Sequence, residues 1–229
     1  MRLLLFDIDG TLLHSGGAGA RALAQAFREL HDLNGAMVEM KFAGLTDPAI
    51  VRDIFHAKLG RAPRNGEVEA ILERYLVNLK DDVHWTAGQA KVLPGIPELL
   101  AALSARPGVL MGLLTGNVER GGRLKLGRFG LNRYFEFGGF ASDAEDRAEI
   151  ARVARDRGLA RAAGPVEPRD VLVIGDTPRD VACGKAIGAT TVAVATGPHT
   201  TAQLAEHSPD WLFEDFTALE RAVQALAGS

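Results

Sequence analysis

The opening of this chain constrains it more than any other stretch. Arg2 to Phe6 read as a short apolar strand, and Asp7-Ile8-Asp9-Gly10-Thr11 follow at once. A buried strand that ends by presenting two carboxylates, separated by one residue, is costly to build. Charge at the edge of a core is expensive unless something pairs with it. A divalent cation is a fitting partner, because hard cations take carboxylate and carbonyl oxygens. Gly10 lets the chain leave the strand sharply, and the Thr11 hydroxyl can tie down the turn.

Two more strands end in the same manner. Val109 to Leu114 run into Thr115-Gly116-Asn117, and Val171 to Gly175 run into Asp176, with Asp180 in the next turn. In open α/β sheets, sites gather outside the carboxyl ends of the strands. If these strands are parallel neighbours, Asp7, Thr115 and Asp176 converge. From Leu93 onward, strands and helices alternate, which predicts an α/β, Rossmann-like core: a parallel sheet with helices on both faces. The expected helices cover 96–104, 119–129, 147–158 and 178–187, and the expected strands lie within 134–140, 190–195 and 211–213.

Residues 15–85 have a different rhythm. Ser15-Gly16-Gly17-Ala18-Gly19 lacks the glycine spacing of a dinucleotide loop after a strand and reads as a hinge. Leu23, Ala26, Phe27 and Leu30 recur at helical spacing. Further helices are expected over 47–59 and 66–80, the first with Asp47 as N-cap and Pro48 at its first position. The segment therefore reads as an all-helical cap (15–85) without a strand, inserted into a core formed by 1–14 and 86–229, with Ala87-Gly88 as the second hinge. Placed just after the carboxylate loop, such a cap can close over a substrate and exclude water.

Bulk properties narrow the class. With 229 residues and 47% apolar content, the chain can build a sizeable core, and a net charge of -3 offers no basic surface for nucleic acid or an anionic membrane. No apolar run is long enough to span a bilayer, and no signal-peptide pattern is present. A cytoplasmic protein, monomer or homodimer, is expected. Cys183, the lone cysteine, lies among Val181, Ala182 and Ala186 and reads as a small buried hydrophobe. The six histidines show no metal-ligand spacing such as HExxH.

The residue types suit phosphoryl transfer. Asp7 can attack phosphorus as an ionised carboxylate. Asp9 can protonate the leaving group and then activate water, provided the environment separates the two pKa values. Asp176 reads as a metal ligand or as an N-cap, and Asp180 as a support for its loop or for a metal-bound water. Oxygen ligands that leave room for several waters point to magnesium (Mg2+). Thr115, Gly116 and Asn117 precede a helix and offer a hydroxyl and amides to a phosphate, or simply cap that helix. A cation should neutralise the remaining charge. Arg147, at the start of a helix, and Lys125, in the helix after Asn117, compete for that role. The plain alternatives are a solvated Lys125, and an Arg147 paired with Asp143, Glu145 or Asp146.

DIDGT, LLTGN and GDTPRD resemble the first, second and fourth motifs of the haloacid dehalogenase superfamily. TGN, together with a helical insertion after the first motif, is most similar to its phosphoglycolate phosphatase-like branch. The resemblance covers most of the chain outside 15–85. It implies a magnesium-dependent phosphatase that hydrolyses a small phosphorylated metabolite, a phosphoglycolate-like monoester, through an aspartyl-phosphate. Asp7, the backbone carbonyl of Asp9, and Asp176 would hold the metal. The lysine usual in the third motif has no obvious equivalent here, and the resemblance favours Arg147 over Lys125 as its substitute, because Arg147 stands in the more usual topological place. Phe42 to Asp47 resembles a substrate-facing cap loop, or is an ordinary interhelical turn. A phosphomutase of the same fold and a non-catalytic metabolite-binding module are the competing readings.

Overall fold

The structure is a computed structural model and describes residues 1–40, 42–82 and 90–228. In chain order its strands are β1 (Arg2–Phe6), β2 (Leu13–Ser15), β3 (Ala90–Val92), β4 (Val109–Leu114), β5 (Gly138–Gly139), β6 (Val171–Gly175), β7 (Thr190–Val194) and β8 (Trp211–Phe213). Its helices are α1 (Ala18–His31), α2 (Asp47–Leu59), α3 (Glu67–Asp81), α4 (Ile96–Ser104), α5 (Glu119–Gly127), α6 (Arg147–Leu159), α7 (Pro178–Ala186), α8 (Thr201–Ala205) and α9 (Leu219–Ala227).

Six strands form one parallel sheet in the order β5-β4-β1-β6-β7-β8. The chain begins in the middle, builds outward through β4 and β5, then crosses back to the other side of β1. The run Leu3-Leu4-Leu5-Phe6 is fully buried, as a central parallel strand demands. Leu3 and Leu5 join one hydrophobic cluster, with Ile150 and Ala154 of α6 and Cys183 of α7. Leu4 and Phe6 join the cluster on the opposite face, with Leu99 and Leu100 of α4 and Val223 and Leu226 of α9. Each of these large side chains contributes roughly 1.5–3 kcal/mol by leaving water, so both faces hold β1 in place. Helices thus cover both faces, as the alternating pattern predicts.

Between β2 and β3 lie α1, α2 and α3. Ala22, Leu23, Ala26 and Phe27 line one face of α1, and the Phe27 ring meets Phe55 of α2 edge-on at 5.4 Å. Ile71, Tyr75 and Leu79 of α3 complete that packing, which is continuous with the cluster holding Leu3 and Leu5.

Several local expectations are corrected. The segments before and after the insertion pair as an antiparallel ribbon, with Leu13, His14 and Ser15 opposite Val92, Lys91 and Ala90; apart from Ser15 it lies outside 15–85, and strands of three residues carry too little pattern to have been anticipated. The strand expected within 134–140 shrinks to Gly138–Gly139, preceded by a 3-10 turn at Leu131–Tyr134. The aromatic run had suggested a strand, but Phe135 and Phe140 are buried in the cluster beneath β1 instead. Helices α8 and α9 were not anticipated. The second hinge at Ala87-Gly88, together with His84 and Trp85, lies outside the described residues.

Asp47 does not cap its own helix. Thr46 is the N-cap of α2, and Asp47 reaches across to the sheet. Its N–H donates to Gly116 O at 2.7 Å, and its Oδ2 accepts from Val118 N–H at 2.8 Å, at the start of α5. The free amide there attracts the carboxylate more strongly than its own first turn does. Burial pushes the Asp47 carboxyl from 3.8 up to about 6, with Lys125 and the Val118 amide opposing and Asp9 adding to the rise. A carboxyl raised on folding favours the folded state below its unfolded pKa, and that contribution is lost as pH rises through about 6. We expect Asp47→Asn, which keeps an acceptor for Val118, to flatten the fall in stability between pH 4 and pH 7 by up to ~3 kcal/mol relative to the unsubstituted protein. Urea unfolding at the two pH values reads this directly; identical slopes in both proteins would refute it.

Candidate active site

Register brings the strand ends together. Phe6 is paired with Leu113 on one side and with Ile174 on the other, so Asp7, Thr115 and Asp176 emerge at one edge. The Asp7 N–H donates to Ile174 O at 2.9 Å, and the Thr115 N–H to Gly139 O at 3.1 Å, extending the ladder to the last residue before each loop. Asp7 is 7% exposed and Asp176 1%.

Carboxylate oxygens of Asp7, Asp176 and Asp180 lie within 4.8 Å of one another. Burial comes first, then mutual repulsion, in raising two of them: Asp7 is pushed up to about 7, with Asp180 and Asp9 adding and Arg147 opposing, and Asp176 goes well above the carboxylate range. Asp176 Oδ1 accepts the Thr11 hydroxyl at 3.2 Å. Gly10, with φ of +83°, and Gly197 let the Asp176 carboxyl group pack directly against their backbone, since a Cβ on either would collide with it. Asp180 is spoken for. Its Oδ2 accepts the Thr177 N–H (3.0 Å) and hydroxyl (2.6 Å), forming the capping box of α7, and its Oδ1 takes Arg147. Thr177, not Asp176, is therefore the N-cap, which leaves Asp176 for another task. An oxygen-rich, self-repelling pair lining one cavity, Asp7 and Asp176, is the donor set that a hard divalent cation fits.

Both candidate cations are in the site, and they divide it. The Arg147 guanidinium clamps Asp180 and lies 3.9 Å from Asp7 Oδ1. Burial works to lower its pKa, but Asp180 and Asp7 outweigh that and hold it charged. It is not paired with Asp143, whose partner is Arg157. Lys125 is not a solvated helix residue. It is 5% exposed, and its Nζ donates to Asp9 Oδ2 and to Asn117 Oδ1, both at 2.6 Å. Burial opposes its charge, yet Asp9, Asp47 and Asp7 raise its pKa. The sequence reading favoured Arg147 over Lys125; the geometry brings in both.

Asn117 joins the two halves. Its Nδ2 donates to Asp9 Oδ2 at 2.9 Å and to the Thr115 hydroxyl at 2.7 Å. The Asn117 N–H also turns back to Thr115 Oγ1, at 3.3 Å, so of the two amides expected to meet a phosphate only that of Gly116 is without a protein acceptor among the described residues. Asp9 Oδ1 likewise has no protein partner among the described residues. These groups floor a cavity of about 330 Å³, roofed by residues of α1 and α3, by Met37 and by residues between Phe42 and Ile50. Phe42, Leu45 and Asp47 all line it. Cys183 is buried, its thiol pushed up to about 12 by burial first and Asp180 second, as its apolar neighbours suggested. Sequence reasoning missed Tyr75 as a wall residue, because it occupies an apolar position of α3.

Known proteins resemble this chain in sequence and fold. The family model for haloacid dehalogenase-like hydrolases matches residues 1–188. A phosphoglycolate phosphatase of Rhodospirillum rubrum is 31% identical over 223 residues, spanning 95% of this chain and 89% of that protein. One from Haemophilus influenzae is 27% identical over 227 residues, spanning 95% and 96%. A hydrolase from Pseudomonas syringae superposes with a TM-score of 0.75 at 19% identity, covering 99% of both chains, and so shares the fold. The chain belongs to the haloacid dehalogenase-like hydrolases, and within that family it stands with the phosphatases.

Proposed function

We propose that this enzyme is a magnesium-dependent phosphatase that hydrolyses a small phosphate monoester, of phosphoglycolate size, through an aspartyl-phosphate on Asp7. The observation that carries the reading is the juxtaposition of buried Asp7 and Asp176 with Lys125, Arg147 and Thr115 on the floor of one cavity. Asp7 attacks phosphorus in line with the leaving oxygen, and the ester P–O bond breaks. Asp9 gives the leaving alkoxide its proton through Oδ1, the oxygen that Lys125 and Asn117 leave free. A water molecule then loses a proton to Asp9 and attacks phosphorus, releasing phosphate and restoring Asp7. Arg147, Lys125, the Thr115 hydroxyl and the Gly116 amide offset charge on the phosphoryl oxygens. Asp7, Asp176 and the Asp9 backbone carbonyl would hold Mg2+, which supplies positive charge to the phosphoryl group and keeps Asp7 ionised.

The helices of 15–85 serve as the cap of this site in the same reading, excluding water while the phosphoenzyme stands. A cytoplasmic setting is also part of it. A single buried thiol suits a reducing compartment, and no helix among the described residues is long and apolar enough to cross a membrane.

Asp7→Asn should reduce phosphatase turnover by on the order of 10³ or more. In chelator at pH 8 the same substitution should raise the thermal midpoint. The Asp7 carboxyl, raised to about 7 in the folded protein, loses its stabilising contribution above that pH. Retained turnover would end the covalent route. Chelation should abolish activity and added Mg2+ should restore it; activity indifferent to both would remove the metal. Lys125→Ala should depress kcat chiefly through Asp9, with the acid limb of the pH–rate profile displaced. Arg147→Ala should raise KM for the phosphate ester as well. Indistinguishable kinetics in the two variants would contradict this division.

A further inference from the structure

The loop from Thr115 to Val118 is held from two directions. The sheet side supplies two bonds: Thr115 N–H donates to Gly139 O at 3.1 Å, and Ala141 N–H donates to Asn117 O at 2.9 Å. The helical insertion supplies the others through one residue. Asp47 N–H donates to Gly116 O at 2.7 Å, and Val118 N–H donates to Asp47 Oδ2 at 2.8 Å. Asp47 thus takes one backbone group on each side of Asn117.

Gly116 is where that bracket matters. A glycine backbone is the most permissive of any residue, and its amide is the one that the phosphatase reading gives to a phosphoryl oxygen. A Cβ on Gly116 would collide with Leu45 O, so the backbone of the insertion rests directly on it. Gly44, with φ of +70°, sits as closely on the loop after β6: a Cβ there would lie 2.8 Å from Thr177 Oγ1 and from Arg179 Cδ. Gly44, Leu45, Asp47 and Gly116 all line the cavity. Two ion pairs cross the same boundary at 2.7 Å, Arg52 with Glu145 and Arg120 with Glu73. Both are solvent-exposed, and such pairs contribute little. The Asp47 carboxylate on an amide at the start of α5 is the stronger fastening, because charge and helix dipole assist it.

We propose that Asp47 is a positioning residue for the phosphate cradle: by bracketing Asn117 it fixes the direction of the Gly116 amide, so that tight phosphate binding requires this part of the insertion to be seated. This rests on the phosphatase reading above and adds what controls its phosphate subsite. The probe is inorganic phosphate, titrated calorimetrically with Mg2+ present at pH 7, well below the thermal midpoint. Asp47→Ala should weaken phosphate binding by about ten-fold and raise KM for a phosphate monoester by a similar factor, with kcat changed less. Asp47→Asn keeps an oxygen for Val118 and should stay within about three-fold of the unsubstituted protein. Both variants remove the charge that Asp47 turns toward Lys125, so the gap between them reports the hydrogen bond. Val118→Pro removes the other partner. Val118 has φ of −61°, which proline keeps while deleting the N–H. It should weaken phosphate as Asp47→Ala does, and the double variant should bind no more weakly than either. Should Asp47→Ala not fold, Val118→Pro against Asp47→Asn makes the same comparison. A role in stability alone would lower the thermal midpoint and leave phosphate affinity where it was, which overturns the inference. Equal losses in the alanine and asparagine variants, or additive losses in the double variant, overturn it as well and leave the phosphatase reading standing. Failure of the unsubstituted protein to hydrolyse any monoester would count against the phosphatase reading, while the titrations decide the inference separately.

Discussion

Everything at the site depends on β1 being hydrogen-bonded on both sides, to β4 and to β6, in fixed register. A side-chain period of two means that a slip of one residue would exchange the two faces of a strand. Here it would turn Leu3 and Leu5 toward α4 and α9, and Leu4 and Phe6 toward α6 and α7. Both faces are filled to completion, so the slip is prohibited twice. Three residues far apart in sequence can then be delivered to one edge within a few ångströms, with no loop required to hold them there.

That delivery has a cost, visible in the acids it gathers. Asp7 and Asp176 are buried beside Asp180, and burial and repulsion raise both. The protein answers with two different cations rather than one. Arg147 is a planar fork that can serve Asp180 while staying near Asp7; Lys125 is a point charge held between Asp9 and Asn117. The two are not interchangeable. Two cations do not match the four carboxylates gathered here, and a metal between Asp7 and Asp176 would balance the remainder.

Much of this was legible in the sequence. The all-apolar run Leu3 to Phe6 could only be a central strand, and three strands ending in Asp, Thr and Asp announced the convergence. Helical spacing gave α1, α2 and α3 to within a few residues. Other features were not legible, for physical reasons. The pair β2 and β3 is too short to carry an alternating pattern. Phe135, Phe137 and Phe140 looked like strand residues but are core residues around a two-residue strand. Asp47 satisfied every local rule for a helix cap, yet a free amide from a segment some seventy residues away outbid its own helix. The choice between Arg147 and Lys125 was posed as exclusive because a motif supplies one cation; spatial assembly supplied both.

The short ribbon of Leu13–Ser15 and Ala90–Val92 has a mechanical meaning. Backbone hydrogen bonds lace the entry crossing at Leu13–Ser15 to the crossing at Ala90–Val92, so one cannot shift along the other without breaking the ladder.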